Sequence, residues 1–321
     1  MTSILVTGAS GFVGHVVCER VLNLGMKVRG SYRSASSQPR VPAGVEKVHI
    51  PSVDGATDWS SALLGVNGIV HTAARVHVLR DSAADPLAEF RRVNVAGTLT
   101  LARQAVDAGV RRFIFISSIG VNGAETFEMP FTAEDKAAPH LPYAVSKHEA
   151  ELGLRQIAHE TGLEVVIIRA PLVFGPGAPG KFDRLLLNVH QGTPLPLGAI
   201  HNRRSLVALD NLVDLILTCL NHPAAANQTF LVSDGEDLST TVLLRRTAAA
   251  LGRQARLIPV PVLVLRAAAR LLGKADLAQQ LCGSLQVDIS KTRNLLGWSP
   301  PVSVDAALRQ TACHFLANRR S

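Results

Sequence analysis

Gly8, Gly11 and Gly14, lying between a short apolar run and a helical pattern, constrain this chain more than any other feature. Ser3 to Val6 reads as a buried strand, and Phe12 to Leu24 carries apolar residues at helical spacing. A strand that turns through glycines into a helix opens a doubly wound α/β unit with a parallel sheet. Gly8 permits the tight turn, Gly11 lets the backbone approach a pyrophosphate, and Gly14 lets helix pack closely on strand. The helix start, with the N–H groups of Phe12 and Val13, offers free donors and a partial positive charge to phosphate. The spacing is G-x-x-G-x-x-G rather than the commoner G-x-G-x-x-G, but strand, glycines and helix follow in the required order.

The second strand, Lys27 to Tyr32, should end beside the adenine ribose. A NAD site normally has an acidic residue there to accept from the ribose 2′-hydroxyl. This chain has Tyr32 then Arg33, with Arg29 earlier on the strand. A guanidinium suits a 2′-phosphate, and Ser10 in the glycine turn can add a hydrogen bond to it. NADP(H) is therefore expected over NAD, which stays the alternative.

Farther along, Tyr143 and Lys147 in YAVSK stand four residues apart, on one face of a helix. A fixed ammonium favours a neighbouring phenolate. Lowering a phenol from about 10 toward 7 requires about 4 kcal/mol, and would make Tyr143 a general acid/base near neutrality. Upstream, Ser117-Ser118 closes a strand, and alternation turns the two hydroxyls to opposite faces, so one of them can meet a ligand.

With 321 residues, 47% apolar and 18% charged, the chain can bury a large core in one or two domains. The net charge of +8 suits an anionic ligand, but scattered basic residues and 4% aromatics argue against nucleic acid. Cys18, Cys219, Cys282 and Cys313 have no CxxC spacing, so reduced thiols in a cytoplasmic protein and no metal site are expected. Leu257 to Leu272 is the most apolar run; it is too short to span a bilayer, and a buried or lid-forming helix is favoured over a membrane-surface anchor. Strand-like runs at Val48–Ile50, Gly68–His71, Phe113–Ser117 and Val165–Arg169 alternate with helical patterns. After Arg169 a proline- and glycine-rich stretch, APLVFGPGAPG, marks a change of texture. The expected division is a nucleotide-binding part over residues 1–170 and a substrate-binding part over 171–321, with some later segments returning to the first.

TGASGFVG, the strand ending in Ser117-Ser118, YAVSK, RAPLVFGPG and the late DISKTRNLLGW together resemble the extended short-chain dehydrogenase/reductase family, over nearly the whole chain. HTAARVHVLRDSAADPLAEFRRVNVAGT resembles its bacterial nucleotide-sugar branch, UDP-hexose 4-epimerases and reductases of UDP-4-keto-6-deoxy-hexosamine in polysaccharide synthesis. The resemblance implies that Tyr143 exchanges a proton with the sugar oxygen, Lys147 binds the nicotinamide ribose, and Ser118 bonds the same oxygen. It implies that Asn94 helps align the lysine, that Ala73, Ala74 and Pro171 touch the cofactor, and that Lys181 and Arg204 meet the diphosphate. His71 is read as packed. Ser205 replaces the family's usual aspartate after Arg204. A homodimer through Pro86–Asp107 and Tyr143–Glu160 is likewise implied. Hydride transfer at C4 is expected, with the 4-ketoreductase preferred because Arg33 favours NADPH, and the 4-epimerase as the alternative. Reduction of a lipophilic ketone and a turnover-free NADP-sensing regulator are further alternatives; the retained tyrosine–lysine pair speaks against the regulator.

Overall fold

Seven parallel strands in the order β3-β2-β1-β4-β5-β6-β9 form the main sheet of the computed structural model, which describes residues 2–76 and 85–319. They are β1 (Ser3–Thr7), β2 (Lys27–Tyr32), β3 (Glu46–His49), β4 (Gly68–His71), β5 (Arg112–Ser118), β6 (Glu164–Ala170) and, after β7 (Leu172–Phe174) and β8 (Arg204–Ala208), β9 (Thr229–Leu231). The central strands are apolar on both faces, as a parallel sheet covered by helices requires. Ile4 and Val6 enter the core beneath α1 (Phe12–Asn23), whereas Leu5 between them enters the opposite core with Phe113 and Phe115. The order reverses between β1 and β4, and the glycine turn leaves β1 at that point.

On the second face, α2 (Ser60–Leu63) precedes β4, and α3 (Pro86–Phe90) runs through a π-helical turn, Arg91–Gly97, into α4 (Thr98–Asp107). Beside them lies α5 (Pro142–Thr161), which starts with proline in its first turn and stops at Gly162 in the left-handed region (φ 77°).

The later residues build a smaller sheet, β10-β8-β7, with β10 at Asp237–Leu238. Around it stand α6 (Lys181–His190), α8 (Thr240–Ala250) and α12 (Val304–Ala317), with Phe174, Phe182, Leu206, Leu244 and Leu308 in a third core. Two segments beyond residue 171 belong to the first sheet: β9 pairs with β6, and α7 (Leu209–Asn221) packs on α1. Toward the C-terminus, α9 (Val262–Leu271), α10 (Ala275–Cys282) and α11 (Ser290–Leu296) complete the chain order before α12. The reading of Leu257–Leu272 as a buried helix is corrected, because α9 has no buried residue. Its leucines lie where core packing does not reach them. No described helix is long and apolar enough to cross a membrane.

Candidate active site

The glycine turn builds a tight cradle. Gly8 takes φ +70°, and a Cβ added to Gly14 would lie 2.3 Å from the Gly8 carbonyl oxygen and 2.8 Å from Thr72 Oγ1. The first α1 bond, from His15 N–H to the Gly11 carbonyl, leaves the preceding N–H groups of Phe12, Val13 and Gly14 without an intrahelical acceptor. No side chain caps this end and no acidic residue occupies the first turn. Ser10 is half-buried and Gly11 exposed beside it. An uncapped helix start free of carboxylates fits a dinucleotide diphosphate. Gly14→Ala should weaken nucleotide binding roughly tenfold to a hundredfold, since overpacking a close contact costs about 1–3 kcal/mol. Calorimetric titration with NAD and NADPH measures it, and native affinity in the variant would refute the cradle.

Across the switch point, buried Thr7 ties β1 to β4: its Oγ1 lies 2.8 Å from His71 Nδ1 and accepts from Ala73 N–H at 3.2 Å. His71 Nε2 lies 3.0 Å from Thr98 Oγ1, and its ring stacks on Phe115. Burial first, and the Lys147 charge second, push His71 down to about 3, so it is neutral and packed. Ala73 and Ala74 are partly exposed on the exit from β4, and the Ala73 backbone lies against Gly8. Thr7 and Thr98 do not stand out in the sequence; only the register of β1 on β4 brings them together.

Lys147 and Glu151 follow Tyr143 at four-residue intervals along α5, and β5 meets this face with every second residue. Lys147 is buried with Nζ 4.2 Å from the Phe115 ring centroid, and Ser117 Oγ donates to Glu151 Oε1 at 2.6 Å. Ser118 takes no part in the Glu151 contact: half-buried, its Oγ accepts from Gly120 N–H at 3.2 Å, close to where Gly120 approaches Ala144 in the first turn of α5. Tyr143 is partly buried and meets Phe90 edge-to-face at 6.0 Å, and the Arg75 guanidinium lies over that same Phe90 ring. Buried Asn94 in the π-helical turn accepts from Arg75 N–H at 2.8 Å and donates to the Arg75 carbonyl and Ser146 Oγ. Ser146 Oγ in turn donates to the Tyr143 carbonyl, so Asn94 joins the β4 exit to the first turn of α5.

The expected acidification of Tyr143 is corrected. Burial pushes the phenol up to about 12, and burial pushes Lys147 down to about 7, with Glu151 opposing that fall. Desolvation alone accounts for the phenol's rise, so without cofactor it is protonated at neutral pH.

At the end of β2, Arg33 is exposed, while Arg29 is corrected as a candidate. Arg29 spends its guanidinium on Glu46 and the carbonyls of Ala62 and Leu64, away from the glycine turn. Pro171 is buried between β6 and β7, and Phe174 packs on Phe182 in the third core rather than lining the crevice. Arg204 donates to the Gly283 carbonyl at 3.0 Å; burial lowers its pKa and nearby Glu125 raises it. Ser205, in place of the aspartate, donates to Asp237 Oδ1 and accepts from Val287 N–H, joining β8 to its neighbours. Lys181 opens α6, and its side chain lies outside the described residues, as do residues 77–84 of the motif that follows His71. Among the described residues no cluster of His, Cys, Asp or Glu could hold a metal ion.

Residues 4–233 match the family described as NAD dependent epimerase/dehydratase. The chain is 46% identical to UDP-glucose 4-epimerase of Vibrio cholerae over 322 residues, covering 99% of this chain and 97% of the relative. DesIV, a dTDP-glucose 4,6-dehydratase from Streptomyces venezuelae solved with NAD and TYD, is 27% identical with TM-score 0.78, covering 99% of this chain and 98% of that one. UDP-glucose 4-epimerase from Thermotoga maritima has the same fold, with TM-score 0.79 at 21% identity over 99% of this chain and all of that one (100%). The glycine cradle, the tyrosine–lysine helix and these likenesses lead to one conclusion: the chain belongs to the NAD dependent epimerase/dehydratase family, the extended short-chain dehydrogenases/reductases.

Proposed function

We propose that this protein is a cytoplasmic UDP-hexose 4-epimerase that retains NAD and serves surface-polysaccharide synthesis. The reading is carried by the Tyr143–Lys147 face of α5, set against β5 and the end of β4 at the switch point. The 46% identity to a UDP-glucose 4-epimerase supports epimerisation ahead of the ketoreductase expected from Arg33.

The glycine turn and the start of α1 hold the diphosphate of NAD, with Ala73, Ala74 and Pro171 beside it. When bound, oxidised nicotinamide would accept hydride from C4, return it, and add a positive charge to the site. Lys147 would bind the nicotinamide ribose, and Tyr143 would take the O4 proton when C4 is oxidised. Ser118 bonds the same oxygen. Tyr143 would give the proton back to O4 when C4 is reduced from the opposite face. Asn94 acts as a positioning residue through Arg75 and Ser146. Residues 171–321, apart from α7 and β9, bind the nucleotide sugar, with Lys181 and Arg204 at its diphosphate. A homodimer forms through Pro86–Asp107, the run from α3 to α4, and Tyr143–Glu160 of α5, which sedimentation velocity can test.

A second reading, reduction of a UDP-4-keto-6-deoxy-hexosamine by NADPH, is favoured by one observation. Tyr32-Arg33-Ser34 ends β2 without a carboxylate, and Arg33 is exposed. Purified protein incubated with UDP-glucose and UDP-galactose should interconvert them without net change in nucleotide redox state. Failure to do so, with NADPH consumed by the keto-sugar, selects the second reading. Dissociation constants for NAD and NADPH in native protein and Arg33→Ala give an independent answer.

The phenol's high pKa adds a titration. Tyr32 and Tyr143 are the chain's two tyrosines, so the difference between native protein and Tyr143→Phe isolates one phenolate band. Without nucleotide that band should emerge near pH 12, and saturating NAD should move it to lower pH. An unmoved band would remove the cofactor charge from the proposed chemistry.

A further inference from the structure

We infer that α9 docks this protein on an anionic phospholipid surface. Along α9 the half-buried residues Val262, Leu265 and Ala269 share one side, which faces the protein. The opposite side is apolar and open to water: Leu263 is 81% exposed, Leu271 89% and Leu272 70%. At 100° per residue, Leu263, Ala267, Leu271, Val264, Ala268 and Leu272 sweep one continuous arc of about half the helix circumference. Arg270 borders this arc at one edge with Arg266 behind it, and Lys274 follows in the turn to α10. A short helix with an outward apolar arc and a basic border fits the plane of a lipid interface, its leucines among acyl chains and its cations at phosphates.

Charge decides between a bilayer and a second copy of the chain. Glu125 neutralises Arg266, which leaves Arg270 and Lys274 against the single acid Asp276 within residues 262–282, and the whole chain carries +8. A second copy laid on the same face would set this basic border against itself, whereas anionic headgroups complement it. The hairpin also has a fixed relation to the rest of the protein. Arg266 pairs with Glu125 at 3.3 Å, and Gly283 after α10 accepts from Arg204. The loop beyond Glu125 presents two more exposed apolar side chains, Phe127 and Met129. Docking through α9 therefore orients the substrate side of the molecule with respect to the membrane.

The test is co-sedimentation of the full-length protein with vesicles of phosphatidylcholine alone and of phosphatidylcholine mixed with phosphatidylglycerol. The protein should pellet with the mixed vesicles and be released by salt. Leu263→Glu combined with Leu271→Glu should weaken partitioning roughly tenfold or more, since two exposed leucines lose their apolar burial. Arg270→Glu combined with Lys274→Glu should abolish the preference for the anionic vesicles. All four positions are exposed, so circular dichroism should match the native protein; if the leucine variant misfolds, the charge variant and the native salt dependence decide. Native protein that stays in the supernatant with both vesicle types overturns the inference, as does undiminished binding by the charge variant. A native oligomer that the leucine variant dissociates also overturns it, assigning the face to a second copy.

Discussion

Tyr143→Phe should bind nucleotide and sugar as the native protein does and lose about 10²- to 10⁴-fold in turnover, the range for a positioned general acid/base. Only the phenolic oxygen is removed. The ring that meets Phe90 edge-to-face remains, and the Tyr143 carbonyl still accepts from Ser146 Oγ, so the start of α5 is undisturbed. Ser118→Ala should cost less, because its hydroxyl is assigned a hydrogen bond to the substrate oxygen and not the proton transfer. Lys147→Ala should impair binding as well as turnover, since the ammonium is assigned to both ribose and phenol. Single-turnover measurement with bound NAD separates the chemical step from product release. Equal rates for Tyr143→Phe and native protein would dismiss the proposed proton transfer.

The elements that set up this chemistry were legible for a physical reason. A parallel strand buried on both faces is apolar throughout, so Gly68–His71 matches β4 to the residue; Lys27–Tyr32, only partly buried, matches β2 through its place just after the glycine-led helix. Gly8 takes a left-handed φ and Gly14 has no room for a Cβ, demands that glycine alone meets, which is why the turn was legible from its glycines. What the sequence misled about was solvation. The spacing of Tyr143 and Lys147 shows that they share a helix face, but the sign of each pKa shift depends on how much water the fold leaves around them. Burial decided it, against the expectation. The α9 run failed in the same way: apolar composition suggested burial, yet nothing in the fold packs over its outer face. Arg29 and Arg33 look interchangeable in KVRGSYR, but only the pairing of β2 with β3 reveals that Glu46 claims Arg29. Ser117 and Ser118 were separable by alternation, but that Ser117 serves Glu151 required β5 to lie against α5.

Arg169→Met should destabilise the protein by about 3–5 kcal/mol, because it strands a buried carboxylate. Glu151 is fully buried, and Arg169 holds it through Nη2 to Oε2 at 2.6 Å and Nε to Oε1 at 3.0 Å. The remaining Arg169 Nη1 donates to Asn122 Oδ1, and Asn122 Nδ2 reaches the Thr132 carbonyl, so the pair also fixes the loop leaving β5. Losing the arginine leaves Glu151 with Ser117 and the more distant Arg155, 3.6 Å away. Denaturant unfolding of native and variant protein reads the cost, and a difference under about 1 kcal/mol, the usual worth of an exposed pair, would show that the carboxylate finds other compensation. Glu151→Gln keeps an acceptor for Ser117 but removes the negative charge one turn from Lys147. That charge is what raises the lysine against its desolvation, so its loss must lower the Lys147 pKa below about 7. If the ammonium is the active form, the falling alkaline limb of the pH–rate profile moves to lower pH in Glu151→Gln. A purely structural role for Glu151 would scale the whole profile down and leave that limb where it was.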